Sequence, residues 1–202
     1  MRTVTYGGAV SLDGFLAAAD GAIDWLHFST DVQDVMRDYF KDVDAILMGR
    51  KTWEVATAQA PAKKPRRRKA ASANEPAMRT YVFSRSLPAI NQPGVELVSS
   101  DAAGFVRDLK QRPGKRICLM GGGELAASLL AADLVDEVGL NIHPILLGSG
   151  IPVFRDTGRR LALQMTECRQ MDGGCILASY RVVHAKPAPS VRAGALDPAP
   201  AG

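Results

Sequence analysis

The sequence predicts an α/β protein of three layers, α/β/α, whose mixed sheet of about eight strands ends in an antiparallel C-terminal hairpin. Short apolar and β-branched runs alternate with amphipathic runs through about residue 140. That alternation calls for a largely parallel sheet with helices on both faces. The last two strand-like runs flank Asp172-Gly173-Gly174, a tight-turn signal that reverses the chain. With 202 residues, 47% of them hydrophobic, the chain is ample for one domain and short for two.

The strand candidates are residues 3–10, 44–48, 80–83, 95–98, 116–120, 135–142, 161–168 and 175–183, each bounded by Gly, Pro or Asp. Helices fall between them. Thr30 or Asp31 can cap one whose apolar face is Val32, Val35, Met36, Tyr39 and Phe40. Asp101 can cap a second carrying Phe105, Val106 and Leu109, and a third runs from Glu124 through Leu125, Leu129 and Leu130 to Ala132. The domain spans residues 1–184. Residues 57–77, rich in Ala, Pro and Lys/Arg, read as a disordered insertion, and 185–202 as a disordered tail, because neither has apolar area to offset the entropy of ordering.

The net charge of +4 is local. Lys63, Lys64, Arg66, Arg67, Arg68 and Lys69 carry six positive charges, and without them the rest of the chain is at −2. A basic run without interleaved aromatics is a solvated loop, so no specific nucleic-acid partner is expected. No run approaches the roughly 18 apolar residues of a membrane helix. The N-terminus enters Thr3-Val4-Thr5-Tyr6 without a charged start, apolar stretch and cleavage site, which points to a cytoplasmic protein. Cys118, Cys168 and Cys175, odd in number and set among apolar residues, read as buried reduced thiols.

Two glycine turns carry the chemistry. Gly49-Arg50-Lys51-Thr52 follows a buried strand, and at such carboxyl ends helix N-termini point free N–H groups at ligands. Gly49 permits close approach of the backbone, while Arg50 and Lys51 sit at a helix start, where cations are unfavourable unless an anion binds. Arg offers a phosphate a fork of donors, and Thr52 adds a hydroxyl. Gly121-Gly122-Gly123-Glu124 repeats the arrangement after the strand at 116–120 and leaves a bare backbone surface for a pyrophosphate or a nicotinamide. It lacks the Gly-x-Gly-x-x-Gly spacing of dinucleotide-binding folds. Ser84-Arg85 ends a third strand, and with Arg50 and Lys51 it can surround a 2′-phosphate, selecting NADPH over NADH.

The ordered series Ser11-Leu12-Asp13-Gly14-Phe15, Asp24-Trp25-Leu26, Met48-Gly49-Arg50-Lys51-Thr52-Trp53, Ser84-Arg85, Met120-Gly121-Gly122-Gly123-Glu124 and the run from Pro144 to Phe154 resembles the dihydrofolate reductase superfamily. It is closer still to the C-terminal reductase domain of riboflavin biosynthesis and its stand-alone bacterial relatives. The resemblance implies the dihydrofolate reductase-like fold, NADPH as hydride donor and a homodimer. It assigns Gly49, Arg50, Lys51 and Thr52 to the adenosine-phosphate side, Ser84 and Arg85 to the 2′-phosphate, and Gly121, Gly122 and Gly123, leading into Glu124, to the pyrophosphate and nicotinamide. It implies a small heterocyclic substrate, pteridine-, pyrimidine- or flavin-like, as for 5-amino-6-(5-phosphoribosylamino)uracil reductase. Met120 stands where the riboflavin enzymes usually carry Glu.

Hydride transfer also needs a proton for the atom left negative. Asp24, beside the apolar Trp25-Leu26, is the first candidate, and Asp13, in the loop expected to fold over the nicotinamide, the second. Glu124 is read as favourable to its helix start instead. His27, His143 and His184 show no metal-ligand spacing, and no metal is expected. The alternative function is a nucleotide-binding or regulatory module that keeps the fold without catalysis.

Overall fold

The computed structural model describes residues 1–59 and 78–184. The expected tail and all but the first three residues of the expected insertion lie outside the described residues. Residues 57–59 are helical, closing helix α2 (Arg50–Gln59).

Eight strands form one sheet in the order β5 (Val95–Val98), β4 (Arg79–Phe83), β3 (Val43–Gly49), β6 (Arg116–Met120), β1 (Val4–Ser11), β7 (Glu137–His143), β10 (Ile176–Val183) and β9 (Ala162–Gln170). Each corresponds to an expected strand. All pairings from β5 to β7 are parallel, and β10 runs antiparallel to both of its neighbours. A two-stranded ribbon of β2 (Phe15–Ala17) and β8 (Ile151–Pro152) stands apart from the sheet.

Alternation along β1 divides the molecule. Val4, Tyr6 and Val10 enter a core with Leu47, Ile117 and Leu119. Over that core lie α3 (Ala102–Gln111), through Val106 and Leu109, and α4 (Gly123–Ala131), through Ala126, Leu129 and Leu130. Burying each large side chain contributes about 1.5–3 kcal/mol. The opposite face carries Thr5, Gly7, Ala9 and Ser11. There α1 (Thr30–Lys41) packs: Val32 meets Met171 and Cys175, with Val35 and Leu177 against them. Gly7 is required because a side-chain carbon there would stand 1.7 Å from the Gly139 carbonyl oxygen.

Asp101 caps α3, accepting from the N–H groups of Ala103 and Gly104. At α1 the cap position is Ser29 rather than Thr30 or Asp31. Asp31 instead accepts from Ser29 Oγ and from Asp172 N (2.8 Å), tying the start of α1 to the C-terminal turn. Met36 is exposed, since Val32, Val35 and Tyr39 make the buried stripe and Met36 falls at its margin. Cys118 and Cys175 are buried, but Cys168 is exposed, because β9 is an edge strand exposed along its whole length.

Charges close the amino ends of the strands. Arg2 and Asp44, both buried, form an ion pair, and Asp44 also accepts from Lys115 N at 2.9 Å. Buried Lys110 donates to Asp136 and to the Leu134 carbonyl, and Arg116 pairs with Glu137.

Candidate functional site

The carboxyl ends of β4, β3, β6, β1 and β7 lie side by side. Gly49 pairs with Phe83, Gly7 with Met120 and Ser11 with His143, so the expected site segments share one rim. At about 4.8 Å per strand, the rim from β4 to β1 is about 14 Å long.

The two glycine turns are joined. Gly121 and Gly122 have φ of 61° and 67°, left-handed values that favour glycine. A side-chain carbon at Gly121 would stand 2.7 Å from Thr52 Oγ1, so Thr52 of α2 fills the place that Gly121 leaves. Gly122 lies close to the other turn, its added carbon 3.8 Å from Gly49 N, while the space beside Gly49 is open. The starts of α2 and α4 therefore converge. Gly122 gives α4 no side-chain cap, and α2 has no acidic residue in its first turn. The N–H groups of both first turns and their partial positive charge are left for an anion.

Gly123 corrects the expectation of three ligand-facing glycines. It is buried, and a side-chain carbon there would meet Arg155 Cγ at 2.9 Å and the Pro152 carbonyl at 3.1 Å. Its lack of a side chain serves packing. Glu124 is exposed in the first turn of α4, where it favours the helix and opposes an anion.

Ser84 and Arg85 stand beside Arg50 and Lys51 across the β3–β4 pair. Arg50 Nε is 3.6 Å from Glu54 Oε1 on the next turn of its own helix. Lys51 and Arg85 are exposed and make no ion pair among the described residues. The Ser84 hydroxyl accepts from the N–H groups of Ser86 and Leu87 at 3.2 and 3.1 Å and so shapes its own turn.

The two candidate acids differ. Asp13 bonds with Ser11 Oγ at 2.6 Å and accepts from Leu147 N and Gly148 N. These bonds, that of Ser11 foremost, hold its carboxyl below the usual range, which makes it a poor proton donor. It ties the loop after β1 to the loop after β7. The ribbon continues that contact, with Val153 N donating to the Gly14 carbonyl. Asp24 is exposed in a turn ahead of α1 and makes no hydrogen bond or ion pair among the described residues.

Three further residues stand out. Trp25 Nε1, Asn141 Oδ1 and His143 Nε2 are buried without a hydrogen-bond partner among the described residues. The Trp25 and His143 rings meet edge to face, 5.4 Å apart. Asn141 and His143 were legible in one respect: Glu137, Gly139, Asn141 and His143 alternate with Val138, Leu140 and Ile142, placing every non-apolar residue of β7 on one face. Among the described residues no cluster suits a metal ion, and no helix is long and apolar enough to cross a membrane.

Known proteins are similar to this chain in sequence and in fold. Residues 2–177 match the RibD C-terminal domain. The uncharacterized protein YyaP of Bacillus subtilis is 33% identical over 173 residues, 85% of this chain and 90% of its own length. The riboflavin biosynthesis protein RibD of Mycobacterium tuberculosis is 29% identical over 165 residues, and the chain spans 46% of its length. A crystal structure of a putative riboflavin biosynthesis protein from a Shewanella species shares the fold, with a TM-score of 0.73, 24% identity, and coverage of 91% of this chain and 100% of that one. The mixed sheet and antiparallel C-terminal strands are thus those of the reductase-like fold, and the chain belongs to the RibD C-terminal domain family.

Proposed function

We propose that the chain is an NADPH-dependent reductase acting on a pteridine-, pyrimidine- or flavin-like heterocycle. The observation that carries this is the convergence of two uncapped helix starts, α2 and α4, on the joined glycine turns. NADPH bound there supplies the hydride. Gly49, Arg50, Lys51 and Thr52 hold the adenosine-phosphate side, Ser84 and Arg85 flank the 2′-phosphate, and Gly121 and Gly122 let the backbone approach the pyrophosphate. Gly123 and Glu124 carry that turn into its helix. Asp13 positions the loop over the rim. Asp24, exposed ahead of α1, exchanges protons with solvent at the mouth of the cleft.

The test is Arg50→Ala combined with Arg85→Ala, read by NADPH fluorescence. NADPH binding is expected to weaken roughly tenfold, a charge-assisted contact discounted for exposure, with little change for NADH. Equal loss for both cofactors sinks the 2′-phosphate assignment. One observation favours a second reading, a nucleotide-binding module without catalysis: neither candidate acid is a buried, available donor. NADPH binding without oxidation across a panel of pterins and ribityl pyrimidines would establish it.

We also propose a cytoplasmic homodimer formed through β9 and β10. That hairpin exposes Leu163, Met165, Ile176 and Val183 beside a bare sheet edge. Sedimentation equilibrium is expected to give twice the chain mass, and a monomer for Met165→Asp.

A further inference from the structure

We infer that the chain recognises its heterocycle through neutral side chains, Trp25 and His143 supported by Asn141, which receive the edge of a ring bearing N–H beside C=O. The inference rests on the reductase reading for the class of ligand and adds which residues select it and which ring edge they accept.

Asn141 and His143 lie on the α1 side of the sheet. Leu177 packs against the cluster of Val32 and Val35 from α1, and Leu177 is the cross-strand partner of Asn141, so the two share a face. Asn141 is therefore on that side, and alternation carries Glu137, Gly139 and His143 to it as well. Trp25, just before α1, packs edge-on against the His143 ring at 89°. A side-chain carbon at Gly139 would meet no atom within 4 Å. The face of β7 turned toward α1 is thus bare backbone at Gly139, with His143 at the strand's carboxyl end.

The chemistry of the three orphaned atoms follows from their partners. His143 is 2% exposed, and its Nδ1 lies 3.2 Å from the Asn141 carbonyl oxygen. That oxygen can only accept, so Nδ1 carries a proton, and in the uncharged tautomer this leaves Nε2 a lone pair to present. Trp25 Nε1 can only donate. An acceptor and a donor stand together, both buried, both unsatisfied among the described residues. Burying such groups without partners opposes folding, and a ligand edge that donates to Nε2 and accepts from Nε1 removes that cost. The Asn141 amide supplies a third contact on the same face.

Among the described residues no buried carboxylate is free to pair with a cationic ring. Asp13 is bound to Leu147 and Gly148, Asp31 to Ser29 and Asp172, and Glu137 to Arg116. Asp24 is exposed, and the stripe that α1 turns toward the sheet is Val32 and Val35. A protonated aminopyrimidine needs a paired anion when buried, and the unpaired carboxylate nearby among the described residues, Asp24, is exposed to water.

The test uses calorimetry on the full chain with two probes, 5,6-diaminouracil and 2,4-diaminopyrimidine, the latter below neutral pH where it is protonated. The uracil is expected to bind at least tenfold more tightly. His143→Leu and Trp25→Phe are each expected to weaken it about tenfold, the loss of one hydrogen bond, with NADPH affinity unchanged. Should either variant fail to fold, the Nε2 nitrogen resonance of His143 in the unsubstituted protein gives the same information: it is expected to move on adding the uracil. Equal or tighter binding of the diaminopyrimidine overturns the inference. So does an unmoved Nε2 resonance, which would mean that bound water alone satisfies the three atoms, and so does failure of both probes to bind. Loss of NADPH binding with the uracil preference intact would overturn the reductase reading alone.

Discussion

At the amino ends of the strands nearly every charge has found a partner; at the carboxyl ends polar groups are left without one. Arg2, Asp44, Lys110 and Asp136 pair across loops and strand starts, both pairs with a member deep in the molecule. Across the sheet, Gly49 borders open space, Gly122 leaves a helix uncapped, and His143, Trp25 and Asn141 hold buried atoms that bond to nothing among the described residues. The same strands serve both ends. The difference lies in the chain direction: among the parallel strands each runs out at the same rim, helix starts crowd there, and their unpaired N–H groups leave it open to an anion. The opposite rim is left to hold the strands in register.

The largest expected effect breaks the closed end. Asp44→Ala leaves Arg2 buried without its partner and Lys115 N without its acceptor. Removing one member of a buried pair costs about 3–5 kcal/mol. Denaturant unfolding should show that loss, with NADPH affinity of the folded fraction unchanged. A loss under about 1 kcal/mol would mean that the amino rim carries no more stability than an exposed pair.

Gly121→Ala probes the open end. A left-handed φ costs a side-chain-bearing residue about 1–2 kcal/mol. The new carbon must also displace Thr52. Gly158→Ala is the control, because Gly158 has φ of 71° but nothing within 4 Å of the added carbon. NADPH binding should fall at least tenfold in the first and stay unchanged in the second. Similar affinities in both would show that the Thr52–Gly121 junction does not shape the cradle.

The smallest effect concerns Asp13, whose bonds to Leu147 and Gly148 hold the two loops together. Its carboxyl titrates below its unfolded value of about 3.9, so its contribution is complete above that value. It is lost as pH falls through the depressed folded value. Amide exchange at Leu147 and Gly148 should therefore quicken only in strong acid. In Asp13→Asn the same amides should exchange faster at every pH, without the acid step. An acid step that persists in the variant would assign the loosening to another group.

Much of this was legible in the chain. Apolar runs bounded by Gly, Pro or Asp located all eight strands of the sheet, because burial on a sheet imposes a short period and breakers end it. Asp101 announced its cap, and the Gly49 and Gly121 turns announced a rim. The β2–β8 ribbon was not legible, since two- and three-residue strands are too short to show a period. Gly121 and Gly123 look alike in sequence. One yields to Thr52 and the other to residues 152–155, which are distant along the chain. Asp13 reads as an acid and acts as a clamp, because its partners lie more than 130 positions away.

The sequence by itself determined the layers, the strand inventory and the glycine turns at the rim, since these follow from local periodicity and from turns that need glycine. Only the tertiary structure decided which polar atoms remain unpaired. Whether His143 is a satisfied core histidine or an orphaned acceptor depends on what Trp25, Asn141 and α1 place around it. Hydrogen bonding is a property of that assembled surrounding, and no spacing along the chain records it.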